Sequence, residues 1–391
     1  MKPLDSTKRV LIAGLGDTGI LAAIALSQDF SIIGITPKPA MISGQFVGAR
    51  LAAPKQWKKN FLMRFRQYKG LDQVRVQQGL ITAIDTAQSA VLIQTVHGEV
   101  LREPYDALLI ASGVRNGFWR SNDLETLSVA EAIIDADSKK VAAARTVAII
   151  GGGVTGVSVA SNVAEQYPGK SVHLFYSRDT LIPQYHQRVQ ANVEAHLLKQ
   201  NVHLHPNHRA RAPEGFRYDR LTSDPIHWLT RHPAFEADLV GWTVGRAYPN
   251  NAFIPADMLI EQGFVKVEPT LRVPGYSNIF AVGDIAASDS HRSSARNFGY
   301  DVVAHNIRTF LVGGGEADMK TYKAPLHRWG EILGSQTYGL RIFTPKGRLI
   351  RIPQWLVNGF LTPVVEHQYT YKGVRTMEEA HTMEQEGYKR S

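Results

Sequence analysis

Near the start of the chain, a short apolar run leads into a glycine-rich turn and then into apolar residues at helical spacing. Residues 10–13 are apolar, and residues 14–19 read Gly-Leu-Gly-Asp-Thr-Gly. This order predicts a strand, a tight turn and a helix. Gly14 permits the turn, Gly16 lets the backbone approach a pyrophosphate, and Gly19 lets the helix pack closely on the strand. The N-terminus of that helix would favour the phosphate charge.

The same pattern recurs 137 positions later. After another apolar run, residues 151–156 read Gly-Gly-Gly-Val-Thr-Gly, and small and apolar residues follow. A single turn of this kind is weak evidence, because ordinary glycine-rich turns look similar, but two in one chain are more specific. The sequence therefore predicts a second dinucleotide-binding turn, which includes Gly151, Gly153, Thr155 and Gly156.

The strand after each turn differs from the usual pattern at its end. A carboxylate commonly stands there and binds the ribose hydroxyls of the dinucleotide. The first such strand, residues 31–35, is followed by Thr36, and the second, residues 172–176, is followed by Ser177 and Arg178. A hydroxyl and a cation in place of the acid favour NADPH. The alternative is that Arg178 only caps a surface loop.

A third apolar strand, residues 279–282, ends in Gly-Asp. We predict a helix soon after it, from about residue 294 to residue 310. Asp284 at the strand end could accept hydrogen bonds from the ribityl chain of a flavin, and a nearby helix N-terminus would stabilise a reduced, anionic flavin. The alternative is an aspartate that caps a helix or a turn.

The two glycine turns and the late Gly-Asp strand resemble the two-dinucleotide flavoprotein reductases. The closer similarity is to the apoptosis-inducing-factor-like branch, with ferroptosis suppressor proteins and type II NADH dehydrogenases. It covers about residues 8–310, including a crossover sequence at 106–113 and a return segment at 238–250. The resemblance implies an α/β fold with two Rossmann-like domains. The expected division is an FAD domain at 1–115 and 247–330, an inserted NAD(P)H domain at 116–246, and a C-terminal segment at 331–391.

The resemblance also implies which residues bind the cofactors. FAD would be held by Gly14, Gly16, Asp17, Thr18, Gly19, Lys38, Arg50, the backbone near Ile81, Ala111, Gly113 and Asp284. The nicotinamide cofactor would face Gly151, Gly153, Thr155, Gly156, Ser177, Arg178 and Gly245. Hydride crosses directly between stacked rings in such enzymes, so no catalytic side chain is predicted.

Three positions depart from the family. Ser158 stands where members commonly place a glutamate that contacts the nicotinamide side. Residues 295–300 read Ala-Arg-Asn-Phe-Gly-Tyr, without the glutamine-containing quinone motif of type II NADH dehydrogenases. Thr36 leaves recognition of the adenosine ribose to the backbone and to Lys38 or Arg50.

Composition narrows the chemistry. The 391 residues are 44% hydrophobic and 20% charged, as in an ordinary globular enzyme. The chain has no cysteine, which excludes disulfides, thiolate metal sites, Cys-ligated iron–sulfur clusters and a dithiol relay. No apolar run approaches the roughly 20 residues of a membrane span, and no secretory signal is evident. We therefore expect a cytoplasmic enzyme, or one resting on the inner face of a membrane.

The net charge of +9 could attract nucleic acid, an anionic membrane or anionic cofactors. Two basic segments are the candidates for such contacts. In residues 55–69, aromatic side chains follow helical spacing, which favours an amphipathic helix over nucleic-acid binding. Residues 352–361 predict a short helix bounded by Pro353 and Pro363. That helix would either lie on a lipid surface or pack as ordinary core.

Three histidines, His203, His205 and His208, are spaced so that strand alternation could place the first two on one face. Pro206 and Asn207 interrupt the spacing, and no carboxylate adjoins it. No metal site is predicted.

The sequence thus predicts an FAD-dependent NAD(P)H oxidoreductase that passes electrons to a small acceptor, with a quinone as the leading candidate. Two alternatives stay open: a reductase of an electron-transfer protein of the ferredoxin or rubredoxin type, and a slow redox-sensing interaction protein. Contact with a membrane surface is a further possibility, nucleic acid is not an expected partner, and the oligomeric state is open.

Overall fold

The computed structural model describes residues 7–44, 46–119, 122–244, 247–289, 294, 298–324, 330–334, 336–344 and 346–388. Two sheets flanked by helices, one parallel throughout and the larger one parallel in five of its seven strands, form the body of this part of the chain, which confirms the predicted α/β class. The strands are β1 (Arg9–Ala13), β2 (Ser31–Thr36), β3 (Met41–Ile42), β4 (Leu62–Met63), β5 (Val74–Asp85), β6 (Ala90–Thr95), β7 (Val100–Pro104), β8 (Ala107–Ile110), β9 (Val114–Arg115), β10 (Thr146–Ile150), β11 (Ser171–Phe175), β12 (His203–His205), β13 (Leu239–Trp242), β14 (Tyr248–Pro249), β15 (Ile279–Ala281), β16 (Gly330–Glu331), β17 (Gly339–Phe343) and β18 (Leu349–Pro353). The helices are α1 (Asp17–Leu26), α2 (Val47–Ala52), α3 (Pro54–Phe61), α4 (Leu127–Ala143), α5 (Val154–Gln166), α6 (Gln187–Lys199), α7 (Gly299–Leu311), α8 (Gln354–Leu356), which continues as a π-helix (Val357–Thr370), and α9 (Met377–Tyr388).

The large sheet has the strand order β15-β8-β1-β2-β5-β6-β7. Its first five strands run parallel, and β5, β6 and β7 continue as an antiparallel meander. The strand β1 has neighbours on both sides, since Ile12 pairs with Gly34 of β2 and with Leu109 of β8. Strands covered on both faces are continuous apolar runs. Residues 10–13 are accordingly at most 1% exposed.

The smaller sheet has the order β12-β11-β10-β13, and all four strands are parallel. Ile149 of β10 pairs with Leu174 on one side and with Gly241 on the other. Both sheets therefore share one arrangement, in which the strand before a glycine turn lies between the next strand and a later one. Such a reversal of strand order opens a crevice at the carboxyl ends of the strands, where ligands bind.

Two antiparallel chain segments connect the sheets. β9 leaves the large sheet and β14 returns to it, with Val114 paired to Pro249. The Ser112 Oγ donates to the carbonyl oxygen of Asn250 at 2.9 Å, and the Asn250 Nδ2 donates to the carbonyl oxygen of Ser112 at 2.8 Å. These reciprocal hydrogen bonds join the outgoing and returning segments just beyond the carboxyl end of β8.

The aromatic residues of the basic segment 55–69 belong mostly to the core. α3 ends at Phe61, so the helix is shorter than the spacing predicted. Trp57, Phe65 and Tyr68 are 1%, 8% and 0% exposed. Rings buried in this way cannot stack on nucleic-acid bases, which favours packing as their role.

The C-terminal part of the described chain packs into the hydrophobic cores beside both sheets. Leu333 and Phe343 join the hydrophobic core beside the smaller sheet, and Tyr371 joins the core beside the large sheet. The predicted end of the helix at Pro363 was wrong, because α8 and the π-helix run through this proline to Thr370. Within the described residues, no helix combines the length and the apolar character that crossing a membrane requires.

Candidate functional site

The first glycine turn lies at the carboxyl end of β1 and has a shape that only glycine allows at two positions. Gly14 has φ +113°, and a Cβ there would lie 2.5 Å from the carbonyl oxygen of Ala111. A Cβ on Gly19 would overlap the carbonyl oxygen of Gly14. At Gly16, in contrast, an added Cβ would meet no described atom within 4 Å. The turn is therefore packed behind and open in front, as a cradle for a pyrophosphate would be.

The open side of this turn is also the start of α1. Gly16 is the N-cap residue, and within the described chain no side chain caps the first N–H groups of the helix. These N–H groups carry partial positive charge and can bind an anion. Asp17 and Thr18 occupy the first turn of the same helix, so five of the predicted FAD residues, Gly14 to Gly19, form one continuous cradle.

The Gly-Asp turn after β15 comes to the same place. Gly283 has φ +84°, and a Cβ on it would lie 3.2 Å from the Thr18 Oγ1. Asp284 follows in a short 3-10 turn, Gly283–Ile285. The helix predicted from about residue 294 is observed as α7 from Gly299, and residues 295–297 lie outside the described part. The structure thus places Asp284 beside the first glycine turn, although 270 positions separate Gly14 from it.

The crossover after β8 completes this edge of the sheet. The backbone N–H of Ala111 donates to the carbonyl oxygen of Ala13 at 2.9 Å. Gly113 has φ +64°, and an added Cβ would meet no described atom within 4 Å. Ile81 lies further along, in β5, where the pairing with β6 shifts between Ile81 and Ala83. A bulge of this kind leaves backbone groups of the strand without ladder partners.

Arg50 is a buried cation on α2. It is 5% exposed, its Nη1 donates to the carbonyl oxygen of Trp119 at 3.0 Å, and its Nε has no hydrogen-bond partner. Burial lowers the pKa of the Arg50 guanidinium, while Asp137 and Glu125 oppose that shift. A buried donor without an acceptor costs free energy, so an anionic group of FAD would satisfy this side chain. The residues around the first turn therefore fit FAD.

The second glycine turn repeats the first in detail. Gly151 has φ +127°, and a Cβ on Gly156 would overlap the carbonyl oxygen of Gly151. Gly153 is the N-cap residue of α5, where an added Cβ would meet no described atom within 4 Å. The Thr243 Oγ1 donates to the carbonyl oxygen of Ile150 at 2.8 Å and closes the back of the turn. Sequence reasoning missed Thr243, because nothing local connects it to a turn 92 positions away.

Ser177 and Arg178 follow β11, the strand next to β10, and both are exposed. The backbone of Arg178 is fixed, since its carbonyl oxygen accepts the N–H of Asn207 at 3.0 Å. Its guanidinium makes no hydrogen bond to any described residue. Thr155 lies in the first turn of α5 on the same side of the sheet. The predicted residue Gly245 lies outside the described part of the chain.

Ser158 faces the interior instead of an open crevice. It is 6% exposed, and its Oγ donates to the carbonyl oxygen of Leu333 at 3.4 Å. A Cβ on Gly48 of α2 would overlap the Ser158 carbonyl oxygen, and one on Gly334 would lie 2.8 Å from the Ser158 Oγ. The C-terminal segment and α2 therefore occupy the space around this position.

As the sequence indicates, β2 ends in Thr36 and not in the acid that is usual at this position. A carboxylate nevertheless lies nearby, because the Lys38 Nζ donates to the Glu125 Oε1 at 2.6 Å. Sequence reasoning missed Glu125, which precedes α4 and stands 87 positions from Lys38. The lysine ammonium is thus engaged by an acidic side chain.

The three histidines of the H-x-H-x-x-H spacing form part of a ring stack. The His205 Nε2 lies 2.9 Å from the His173 Nδ1, and the His205 ring stacks on Phe175 with centroids 4.2 Å apart. Burial, with His208 and His203 nearby, lowers the pKa of His205 to about 4. In the described residues, no group of three or more His, Asp or Glu side chains could hold a metal ion.

Comparison with known proteins identifies the family that this chain matches. Residues 8–307 match the protein family described as pyridine nucleotide-disulphide oxidoreductase. The ferroptosis suppressor protein 1 of Taeniopygia guttata is 26% identical over 327 residues, which cover 82% of this chain and 84% of that protein.

Solved structures share the fold. Reduced Bacillus anthracis CoADR-RHD superposes with a TM-score of 0.65 at 15% identity over 84% of this chain, which spans 60% of that protein's length. An engineered water-forming NADPH oxidase, made from the Lactobacillus brevis NADH oxidase and bound to NADPH, gives a TM-score of 0.57 at 19% identity, over 78% of this chain and 70% of that one.

Proposed function

Because the chain belongs to the pyridine nucleotide-disulphide oxidoreductase family, we propose that it takes hydride from NADPH or NADH through FAD and passes the electrons to a small acceptor such as a quinone. The family confirms the predicted cofactors, FAD with NAD(P)H as the reducing substrate. The observation that carries the proposal is the pair of equivalent glycine turns, each at the switch point of its own parallel sheet. Bound FAD would supply a ring that accepts hydride and returns electrons.

The residues of the two turns would do the binding. In our proposal the first turn, Arg50, Ala111, Gly113 and Asp284 hold FAD, with Lys38 and the backbone near Ile81 beside the adenosine. The second turn holds the nicotinamide dinucleotide. The protein would contribute alignment of the two rings and exclusion of water, not a nucleophile. This assignment supports the division into an FAD part at 1–115 and 247–330, an NAD(P)H part at 116–246 and a C-terminal segment at 331–391, because each turn has its own sheet.

The acceptor must take electrons from the flavin directly. Although the family description includes disulphides, this chain has no cysteine and cannot use a redox-active dithiol. A planar acceptor beside the flavin, such as a quinone, meets this requirement. The similarity of the sequence to ferroptosis suppressor proteins supports the same class of acceptor.

A double-mixing experiment tests the acceptor. The protein is first reduced anaerobically with one equivalent of NADPH or NADH and is then mixed with a water-soluble quinone. We expect the oxidised flavin absorbance to return at a rate that increases with quinone concentration. A flavin that stays reduced in the presence of quinone, but is reoxidised by a ferredoxin or rubredoxin with strong salt dependence, would favour the protein acceptor instead.

We further propose a preference for NADPH, supported by Ser177 and Arg178 at the end of β11. An arginine can form paired hydrogen bonds with the 2′-phosphate, whereas a carboxylate would repel it. The engineered oxidase that binds NADPH carries, among its substitutions, Ala-Arg-Ser in place of three consecutive residues, Asp-Ala-Met. Arg178→Ala should raise the KM for NADPH about tenfold and leave that for NADH nearly unchanged. Equal effects on both nucleotides would contradict this preference.

Contact with a membrane surface is also part of the proposal. Trp355 is 73% exposed, Phe360 50% and Tyr369 72%, and all three lie on α8 and the π-helix. The basic residues Arg348 and Arg351 immediately precede them and are exposed. Exposed aromatic rings beside cations suit the interface of an anionic bilayer. Sedimentation with anionic liposomes tests this contact, and protein that stays in the supernatant would exclude it.

A further inference from the structure

A carboxylate from a distant part of the chain lies at the end of β2, where the local sequence provides none. Thr36 ends this strand and is 4% exposed. Because threonine is short and uncharged, it offers a ribose in the crevice no negative charge. Glu125 reaches the same place from the segment before α4. The position matters, because the end of this strand is where dinucleotide folds usually place the acid that binds a ribose.

Direct hydrogen bonds fix Glu125 there. Its Oε1 accepts the Lys38 Nζ at 2.6 Å. Its backbone carbonyl oxygen accepts the Gln78 Nε2 at 2.8 Å, and the same Nε2 lies 3.1 Å from the carbonyl oxygen of Pro37. Gln78 pairs in register with Thr36 across β5 and β2. Glu125 is therefore bound both to the residues after β2 and to the neighbouring strand.

The charge of Glu125 is only partly used by these contacts. The side chain is 11% exposed and that of Lys38 is 17% exposed, so both groups have lost most of their water. An ionised carboxylate has about four acceptor positions on two oxygens. Among the described residues, only the Lys38 ammonium donates to this carboxylate, and it does so at Oε1. The other oxygen retains acceptor capacity that a pair of hydroxyls could use.

We infer that Glu125 supplies the carboxylate that accepts hydrogen bonds from the adenosine ribose hydroxyls of FAD, in place of the acid that β2 lacks. This inference rests on the proposed function, since it needs FAD in the first glycine turn. Lys38 then balances the charge of Glu125 and does not bind the ribose itself. In the alternative, Lys38 binds the ribose and Glu125 only balances the lysine charge. Replacing Lys38, and not Glu125, would then abolish recognition of the ribose hydroxyls.

The test compares FAD with an FAD analogue whose adenosine lacks the 2′-hydroxyl. Dissociation constants are measured on the flavin-free full chain from the quenching of flavin fluorescence. The unmodified protein should bind FAD about 10- to 100-fold more tightly than the analogue, because a hydrogen bond to a charged acceptor is lost. In Glu125→Gln this preference should fall to about threefold or less, while in Lys38→Met it should persist. Asp123→Asn, an exposed residue of the same segment, is the matched control and should behave like the unmodified protein.

An undiminished preference in Glu125→Gln would overturn the inference, and a preference that is lost only in Lys38→Met would assign the ribose contact to Lys38 instead. If Glu125→Gln does not fold, the Lys38→Met and unmodified proteins still decide, because equal affinity of the unmodified protein for both flavins excludes a ribose acid. A chain that binds neither flavin would contradict the proposed function itself, whereas a chain that binds both equally well would contradict only the role of Glu125.

Discussion

Replacing Glu366 by glutamine should make the protein more stable at pH 8 and leave its stability at pH 4 nearly unchanged. Glu366 lies on the π-helix, near the Asp17 carboxylate of the first glycine turn. Burial, and to a smaller extent Asp17, raise the pKa of the Glu366 carboxyl from 4.5 to about 7. The same surroundings raise the pKa of Tyr371, whose ring contacts that of Tyr68 with centroids 4.8 Å apart.

The magnitude follows from the size of the shift. A raised pKa means that the folded state prefers the neutral acid, so the contribution of Glu366 to stability is fully present below about pH 4.5 and is lost as the pH rises to about 7. One pKa unit corresponds to about 1.4 kcal/mol, so the loss is about 3 kcal/mol. Glutamine does not ionise and avoids this loss. Glu366→Gln should therefore gain up to about 3 kcal/mol over the unmodified protein at pH 8.

Urea unfolding followed by tryptophan fluorescence at pH 4, 6 and 8 measures this difference. Glu378→Gln removes a carboxyl from the exposed face of α9 and serves as the control, for which we expect a change below about 0.5 kcal/mol. A difference between Glu366→Gln and the unmodified protein that does not grow with pH would refute the reasoning. It would mean that the π-helix does not hold this carboxyl against the first glycine turn.

Three further predictions follow from the packing of the turns and the C-terminal segment. Gly156→Ala, whose methyl group would overlap the carbonyl oxygen of Gly151, should slow flavin reduction by NAD(P)H at least tenfold while the flavin stays bound; unchanged stopped-flow reduction would contradict this. Ser158→Glu should lower the urea midpoint without raising turnover, because it would bury a charge in the closely packed space beside Gly334. A variant that turns over faster and is equally stable would show that the C-terminal segment can move away from this position. Trp355→Ser should reduce sedimentation with anionic liposomes at least threefold, and undiminished sedimentation would exclude this ring from the contact.

The parts of the fold that the sequence predicted well are those fixed by local rules. Each glycine turn is a strand, a turn and a helix within about 20 residues, and the backbone angles at Gly14 and Gly151 need glycine whatever surrounds them. The cofactor pair followed from the resemblance that these motifs carry, and the family comparison confirms it.

The parts that the sequence did not predict depend on contacts between distant segments. Nothing in the neighbouring sequence marks Glu125 or Thr243 as a site residue. Each makes its hydrogen bond to a residue about 90 positions away, Lys38 for Glu125 and Gly151 for Thr243. The helix through Pro363 was also missed, since proline normally ends a helix by removing a donor. Here Val357 and Tyr371, 8% and 6% exposed, anchor the helical segment on both sides of the proline.

The central claim is that two phosphate-binding turns bring a flavin and a nicotinamide together. An anaerobic titration tests it most directly: the absorbance spectrum of the purified full chain, reconstituted with FAD, is recorded as NADPH or NADH is added. We predict a flavin spectrum that bleaches fully with about one equivalent of nucleotide, since one hydride reduces one flavin. A folded chain that binds no FAD, or a bound flavin that neither nucleotide bleaches, would contradict the account.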